Sequence, residues 1–319
     1  MAPTLEASPM DGPPGDTWAA VPPSVRRALE LLTSHLVVAV IALVVIGGAT
    51  RVMEAGLACP DWPLCYGALL PGRQMNLQVF LEWFHRLDAF LVGLALLALT
   101  AVSLRWAAVL PPWLPWSSGL ALLLVTAQGA LGALTVIRLL AAGTVTAHLA
   151  TALVLLLLLS AMHQRLHAPG ADLPPLWWRG LWGLAAALLL GQCILGAAMA
   201  SQWASDLCLQ AGQGCRWLLA HRQGAHPAAA SILVLACSAP FTGPAAVALR
   251  PLSLASAALV VLQVGLGVLT LKTQLAVPAI TILHQLIAAL LVAHLGALAG
   301  RCLAAVPAGH SLTAKVAHG

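Results

Sequence analysis

Between residues 29 and 302 the chain is divided into eight apolar stretches, each long enough to cross a bilayer as a helix, for which about 18 to 20 residues suffice. Bounded by Pro, Gly and charged residues, the spans read as about 29 to 50, 78 to 102, 114 to 136, 141 to 162, 176 to 200, 216 to 240, 249 to 271 and 278 to 302. With 61% hydrophobic and only 8% charged residues, the expected class is an all-α, polytopic membrane protein.

Residues 1 to 25 are rich in Pro, Gly and small residues and lack an Arg-rich amphipathic pattern, so they read as a short disordered cytoplasmic tail, with a second tail at 306 to 319. The net charge of +5 does not point to nucleic acid, because the bases are scattered between spans. An even number of spans puts both termini on one side, together with Arg26, Arg27, Arg105, Arg165, Arg179, Arg250, Arg301 and Lys315. The other side holds Arg51, Arg73, Arg138, Arg216 and Lys272. That modest excess of positive charge puts the termini in the cytoplasm, and the expected location is the inner (plasma) membrane. Cys59 and Cys65 ("CPDWPLC") and Cys208 and Cys215 ("CLQAGQGC") then fall in external loops, where each pair reads as a local disulfide. Cys193, Cys237 and Cys302 lie within spans and read as packing residues.

The chain also repeats itself. "AQGALGALTV" at 127 to 136 returns as "LQVGLGVLTL" at 262 to 271, pairing Gln128, Gly132 and Thr135 with Gln263, Gly267 and Thr270 at an offset of 135. His85-Arg86 in span two returns as His221-Arg222 in span six, and His148 in span four returns as His284 in span eight. The interval from His85 to His148 is 63 residues, and so is that from His221 to His284. Four spans per unit imply two four-helix bundles, residues 26 to 168 and 169 to 305, related by a pseudo-two-fold axis along the membrane normal.

Counted from the external end of their spans, the four histidines lie about seven residues deep, roughly 10 Å at 1.5 Å per residue. In each half one comes from the second helix and one from the fourth, so two imidazoles can face each other and supply both axial ligands of a haem iron. A bare metal ion would need further donors, and none recurs in both halves. The plain alternative is that each histidine hydrogen-bonds between helices. His226 competes with His221, but it lacks a following Arg and breaks the 63-residue interval. Arg86 and Arg222 suit carboxylate partners such as haem propionates, or snorkel to the interface.

The halves differ at one informative place. Glu82 of "EWFHR" is matched by Leu218 of "LLAHR". Glu82 and His85 are three apart on a helix, which sends both toward one cavity, and a desolvated carboxylate is suited to exchanging protons. The alternative is a structural ion pair between Glu82 and Arg86. The asymmetry suggests that the second half holds a permanent haem and the first half processes a haem-like substrate.

"GGATRVMEAGLACPDWPLCYG" (47 to 67), "EWFHR" (82 to 86), "QGALGALTV" (128 to 136) with His148, "HR" (221 and 222) and "LQVGLGVLTL" with "LHQ" (283 to 285) resemble the haem A synthase family over nearly the whole chain apart from the tails. The cysteine pairs match the form of that family with external-loop cysteines. The resemblance implies oxidation of a porphyrin methyl of haem O to formyl by successive hydroxylations, with loss of water from the geminal diol. It also implies that His85 and His148 hold the substrate haem, that Glu82 is the catalytic carboxylate, and that His221 and His284 ligate haem b. A haem O synthase and a membrane electron carrier are the partners this reading asks for, and an oligomer is compatible with it. Two rivals remain: a two-haem b-type cytochrome passing electrons between a quinol and a partner, and a non-enzymatic transporter.

Overall fold

The computed structural model describes residues 21 to 167, 172 to 201 and 215 to 303. Eight long helices account for most of them: α1 (Pro23–Val52), α2 (Leu77–Arg105), α3 (Trp113–Ile137), α4 (Ala142–His167), α5 (Leu176–Ala200), α6 (Arg216–Ser238), α7 (Ala246–Lys272) and α8 (Pro278–Cys302). All eight are long and apolar enough to cross a membrane, and no strand occurs among the described residues. This is a multi-pass membrane architecture.

Local chemistry sets the ends. α1 starts at Pro23, within the segment expected to be a tail, because a proline at the first helical position has its φ already set and needs no hydrogen-bond acceptor. α2 starts where the Asn76 side chain accepts from the Val79 N–H at 3.0 Å. α1, α3 and α7 end alike: the carbonyls of Thr50, Thr135 and Thr270 accept from the N–H groups five residues on, those of Ala55, Leu140 and Leu275. The intervening turns carry residues with positive φ, namely Glu54, Leu139, Leu140, Gln274 and Leu275. These are helix-terminating turns in which a left-handed residue closes the last carbonyls.

Neighbouring helices pack in two closed sets. α1 meets α2 and α4, and α3 meets α2 and α4. In the other set α5 meets α6 and α8, and α7 meets α6 and α8. α8 also packs on α4 and α1, which makes it the centre of the molecule: it buries twelve residues where the peripheral α3 buries three. The α4–α8 seam is made close by Gly296 and Gly300. A methyl group at either would fall 2.5 Å from the Leu157 carbonyl oxygen or 2.6 Å from that of Ala161. Small residues four apart are what lets two helix backbones approach this closely in lipid. Ser160 donates across the seam to the Ala293 carbonyl at 2.5 Å, and Trp182 Nε1 of α5 donates to that of Leu295 at 2.8 Å.

Candidate functional site

Each of the four histidines singled out by spacing rests on a glycine of the helix before it. A methyl group at Gly47 would come 3.1 Å from His85 Cε1, one at Gly132 3.5 Å from His148 Cε1, one at Gly196 2.9 Å from His221 Cε1, and one at Gly267 3.1 Å from His284 Cε1. A side chain at these stations would occupy the space of the imidazole. The glycines therefore let each ring come close against a neighbouring backbone.

The fold brings the first pair together. His85 and His148 have ring centroids 6.4 Å apart and meet edge-on at 73°. That separation leaves room between the ring edges for one metal centre bonded at roughly 2 Å on each side. The Nδ1 atoms of His85 and His148 are buried without a hydrogen-bond partner among the described residues, as is Nδ1 of His284. His221 lies within electrostatic reach of His284. No group of three or more His, Cys, Asp or Glu suited to a metal ion occurs among the described residues. Paired imidazoles with a spare ring nitrogen and no third donor fit a haem, which brings four donors of its own and asks the protein only for the axial two.

Glutamines support the rings. Gln128 Nε2 donates to the His148 carbonyl at 2.9 Å, and Gln192 Nε2 donates to that of His221 at 2.8 Å and lies 3.0 Å from its Nδ1. Gln263 Nε2 lies 3.3 Å from His284 Nε2. Gln285, next to His284, reaches α1: a methyl group at Gly48 would overlap its Oε1. Gly47 thus faces the ring of the first pair while Gly48 faces the neighbour of the second.

The Glu82–Arg86 alternative is what the structure contains. Glu82, only 5% exposed, receives Arg86 Nη2 on Oε1 at 2.5 Å and the Cys59 N–H on Oε2 at 2.7 Å. Arg86 spends its other Nη protons on the carbonyls of Asp61, Leu64 and Cys59. Trp83 Nε1 donates to the Leu69 carbonyl at 2.6 Å. This turn of α2 therefore grips the loop from Cys59 to Leu69, while His85, three residues on from Glu82, meets Gly47 and His148. No hydrogen bond joins Glu82 to His85 among the described residues. The expected Cys59–Cys65 disulfide is formed, with Cα atoms 4.7 Å apart. Within its loop the Asp61 carboxylate accepts from the Tyr66 and Gly67 N–H groups at 2.6 and 2.8 Å. The Gly67 hydrogen bond is the main reason that the Asp61 carboxyl titrates below the usual aspartate range.

Arg222 is exposed and makes no side-chain hydrogen bond or ion pair among the described residues, so the two His-Arg steps differ in what their arginines do. His226 is exposed and only approaches its own helix, at the Gln223 carbonyl. Cys215 is buried and is not among the free cysteines, whereas Cys208 lies outside the described residues. Cys193, Cys237 and Cys302 are free.

Residues 30–295 match the COX15-CtaA family of cytochrome oxidase assembly proteins. The chain belongs to that family. A haem A synthase from a Caulobacter species is 31% identical over 328 residues, covering 84% of this chain and 94% of that one. The haem A synthase of Shewanella oneidensis is 32% identical over 187 residues, which is 52% of this chain and 55% of that relative, so this chain spans about half of its length. A protohaem IX farnesyltransferase of Haloarcula marismortui is 39% identical over 79 residues, 25% of this chain and 16% of that one.

Two sets of residues in this COX15-CtaA chain escaped the sequence reading. Gln192 and Gly196 form the same Gln-x3-Gly step as Gln128 with Gly132 and Gln263 with Gly267. Seeking that step in every span before a histidine would have found them. The hold of Arg86 on the first loop had no signal, because its acceptors are backbone carbonyls.

Proposed function

We propose that this COX15-CtaA protein is a haem A synthase, which oxidises a methyl group of haem O to the formyl group of haem A. The observation that carries the reading is the facing pair of His85 and His148, set beside the Glu82–Arg86 loop grip that has no counterpart at Leu218. Haem O is the substrate of the first half, held by His85 and His148. Haem b would be the resident cofactor of the second, held by His221 and His284, and when bound would supply one-electron transfer.

In the chain's own terms, His85 and His148 fix the substrate at one depth, with the disulfide loop as a cover on the external side. Glu82 is the single buried carboxylate among the described residues, and it takes up protons released as the methyl is oxidised in successive hydroxylations, ahead of loss of water from the geminal diol. Arg86 positions Glu82 and holds the loop; with four of its five N–H groups so engaged, one is left for a propionate. Arg222 is the free guanidinium for the propionates of the second half. Apolar helix faces leave an isoprenoid tail open to lipid. The orientation proposed is both termini in the cytoplasm of the inner membrane, two halves related by pseudo-two-fold symmetry, and an enzyme making haem O upstream.

The test is pigment analysis of the purified protein from cells supplied with haem O. A formyl-bearing porphyrin is expected, together with a separate haem b. Haem-loaded protein that returns only unchanged haem O would overturn the assignment.

A further inference from the structure

The two histidine pairs differ in what touches their rings. In the second pair a glutamine amide meets each imidazole: Gln192 at His221 Nδ1, 3.0 Å, and Gln263 at His284 Nε2, 3.3 Å. In the first pair none does. Gln128 reaches only the His148 backbone carbonyl, and the station four residues before Gly47, where the other three helices carry glutamine, is Leu43. The Gln-x3-Gly spacing explains the contact. Residues four apart lie on one helix face, so the amide projects beside the ring that the glycine admits.

We propose that Gln192 and Gln263 are positioning residues that lock the ring planes of His221 and His284, so that this pair retains its haem, while Leu43, which offers the His85 ring its backbone but no side-chain amide, holds that ring less firmly so that the first pair can release its haem. The inference rests on the reading of the first pair as the substrate site. A product must leave a synthase, whereas a resident cofactor must stay. Hydrogen bonds from outside partners fix the orientation and basicity of a ligating imidazole, and losing one typically weakens metal binding 10- to 100-fold. Gln192 Oε1 and Gln263 Oε1 are both buried without a partner among the described residues. The His221 carbonyl fixes Nε2 as the end of the Gln192 amide beside the ring, whereas Gln263 can turn either end of its amide to His284.

The experiment follows haem loss from the purified, haem-loaded full chain to an excess of a haem-scavenging apoprotein, with the low-spin electron paramagnetic signal of each haem recorded alongside. Wild-type protein should lose haem in a fast phase from the first pair and a slow phase from the second. Gln192→Leu and Gln263→Leu should speed the slow phase about 10- to 100-fold and shift the signal of that haem alone, the untouched first-pair signal showing that the variant is folded. Leu43→Gln should slow the fast phase. Gln128→Leu, which removes only a contact to a carbonyl, should leave the slow phase as it was. Unchanged phases and signals in Gln192→Leu and Gln263→Leu, or an equal effect of Gln128→Leu on the slow phase, would overturn the proposal. Absence of formyl porphyrin in the wild-type protein would instead remove the functional reading, while the phase measurements would still judge the glutamines.

Discussion

Arg86 and Glu82, one helical turn apart on α2, form a part-buried ion pair at 2.5 Å whose remaining hydrogen bonds all run to the loop closed by Cys59 and Cys65. The pair thus joins the helix that carries His85 to the loop outside it. Removing Arg86 leaves a buried carboxylate without its countercharge and three carbonyls without their donor. Arg86→Ala should lose about 3 to 5 kcal/mol, read as a fall in thermal unfolding temperature. Glu82→Gln keeps an acceptor for the Cys59 N–H and should keep both haems, yet lower formyl-porphyrin yield by about 100-fold or more if the carboxylate moves protons. Full yield in Glu82→Gln would leave Glu82 as a latch and nothing else.

The same loop should respond to acid in a narrow window. Asp61 binds the Gly67 and Tyr66 N–H groups as a carboxylate, and its carboxyl titrates below the usual aspartate value, chiefly through the Gly67 bond. A group whose folded value is lowered stabilises the fold above its unfolded value, near 3.9, and loses that contribution as pH falls through the folded one. Protection of the Tyr66 and Gly67 amides against exchange should therefore hold steady from pH 7 to about 5 and be lost below about 4. Asp61→Asn should show weaker protection throughout and no such step.

The glycines under the rings predict an ordered series. A methyl group would sit 2.9 Å from the imidazole at Gly196, 3.1 Å at Gly47 and Gly267, and 3.5 Å at Gly132. Only the last is ordinary contact. Gly196→Ala should displace the His221 ring most, Gly47→Ala and Gly267→Ala should act less strongly on His85 and His284, and Gly132→Ala should be nearly silent. Haem content per half, measured spectroscopically, gives the order directly. An equal effect at Gly132 and Gly196 would mean that ring clearance is not what these glycines provide.

How far the sequence carried the reading depended on whether a feature was periodic or tertiary. The spans were legible because a lipid-crossing helix must be apolar along its whole length. The start of α1 was not, because Pro23 begins a helix inside a stretch whose composition resembles a tail. His85, His148, His221 and His284 were legible through an interval of 63 residues that loop lengths happen to preserve. The glycine pairing was hidden by loops that differ: Gly132 and Gly267 are 135 apart, but Gly47 and Gly196 are 149 apart. An i, i+4 Glu-Arg pair was visible on α2, yet its grip on the loop depends on carbonyls, which carry no residue identity.

The α4–α8 seam joins a helix of the first histidine pair to a helix of the second. α8 carries His284 near one end and Gly296 and Gly300 near the other, and these glycines lie against the backbone of α4, the helix that carries His148. The obstacles to a side chain there are the carbonyl oxygens of Leu157 and Ala161, and backbone cannot rotate aside as a side chain does. Gly296→Ala should therefore push α8 from α4, break the Ser160–Ala293 hydrogen bond and cost more than the about 1 to 3 kcal/mol of ordinary overpacking. Because α8 meets α1 as well, the shift should reach the contact of Gln285 with Gly48 and disturb both haem signals together. Gly196→Ala, acting at one ring, should disturb only its own. A Gly296→Ala protein with two unaltered haem signals and an unchanged unfolding temperature would show that the seam does not set the spacing of the sites.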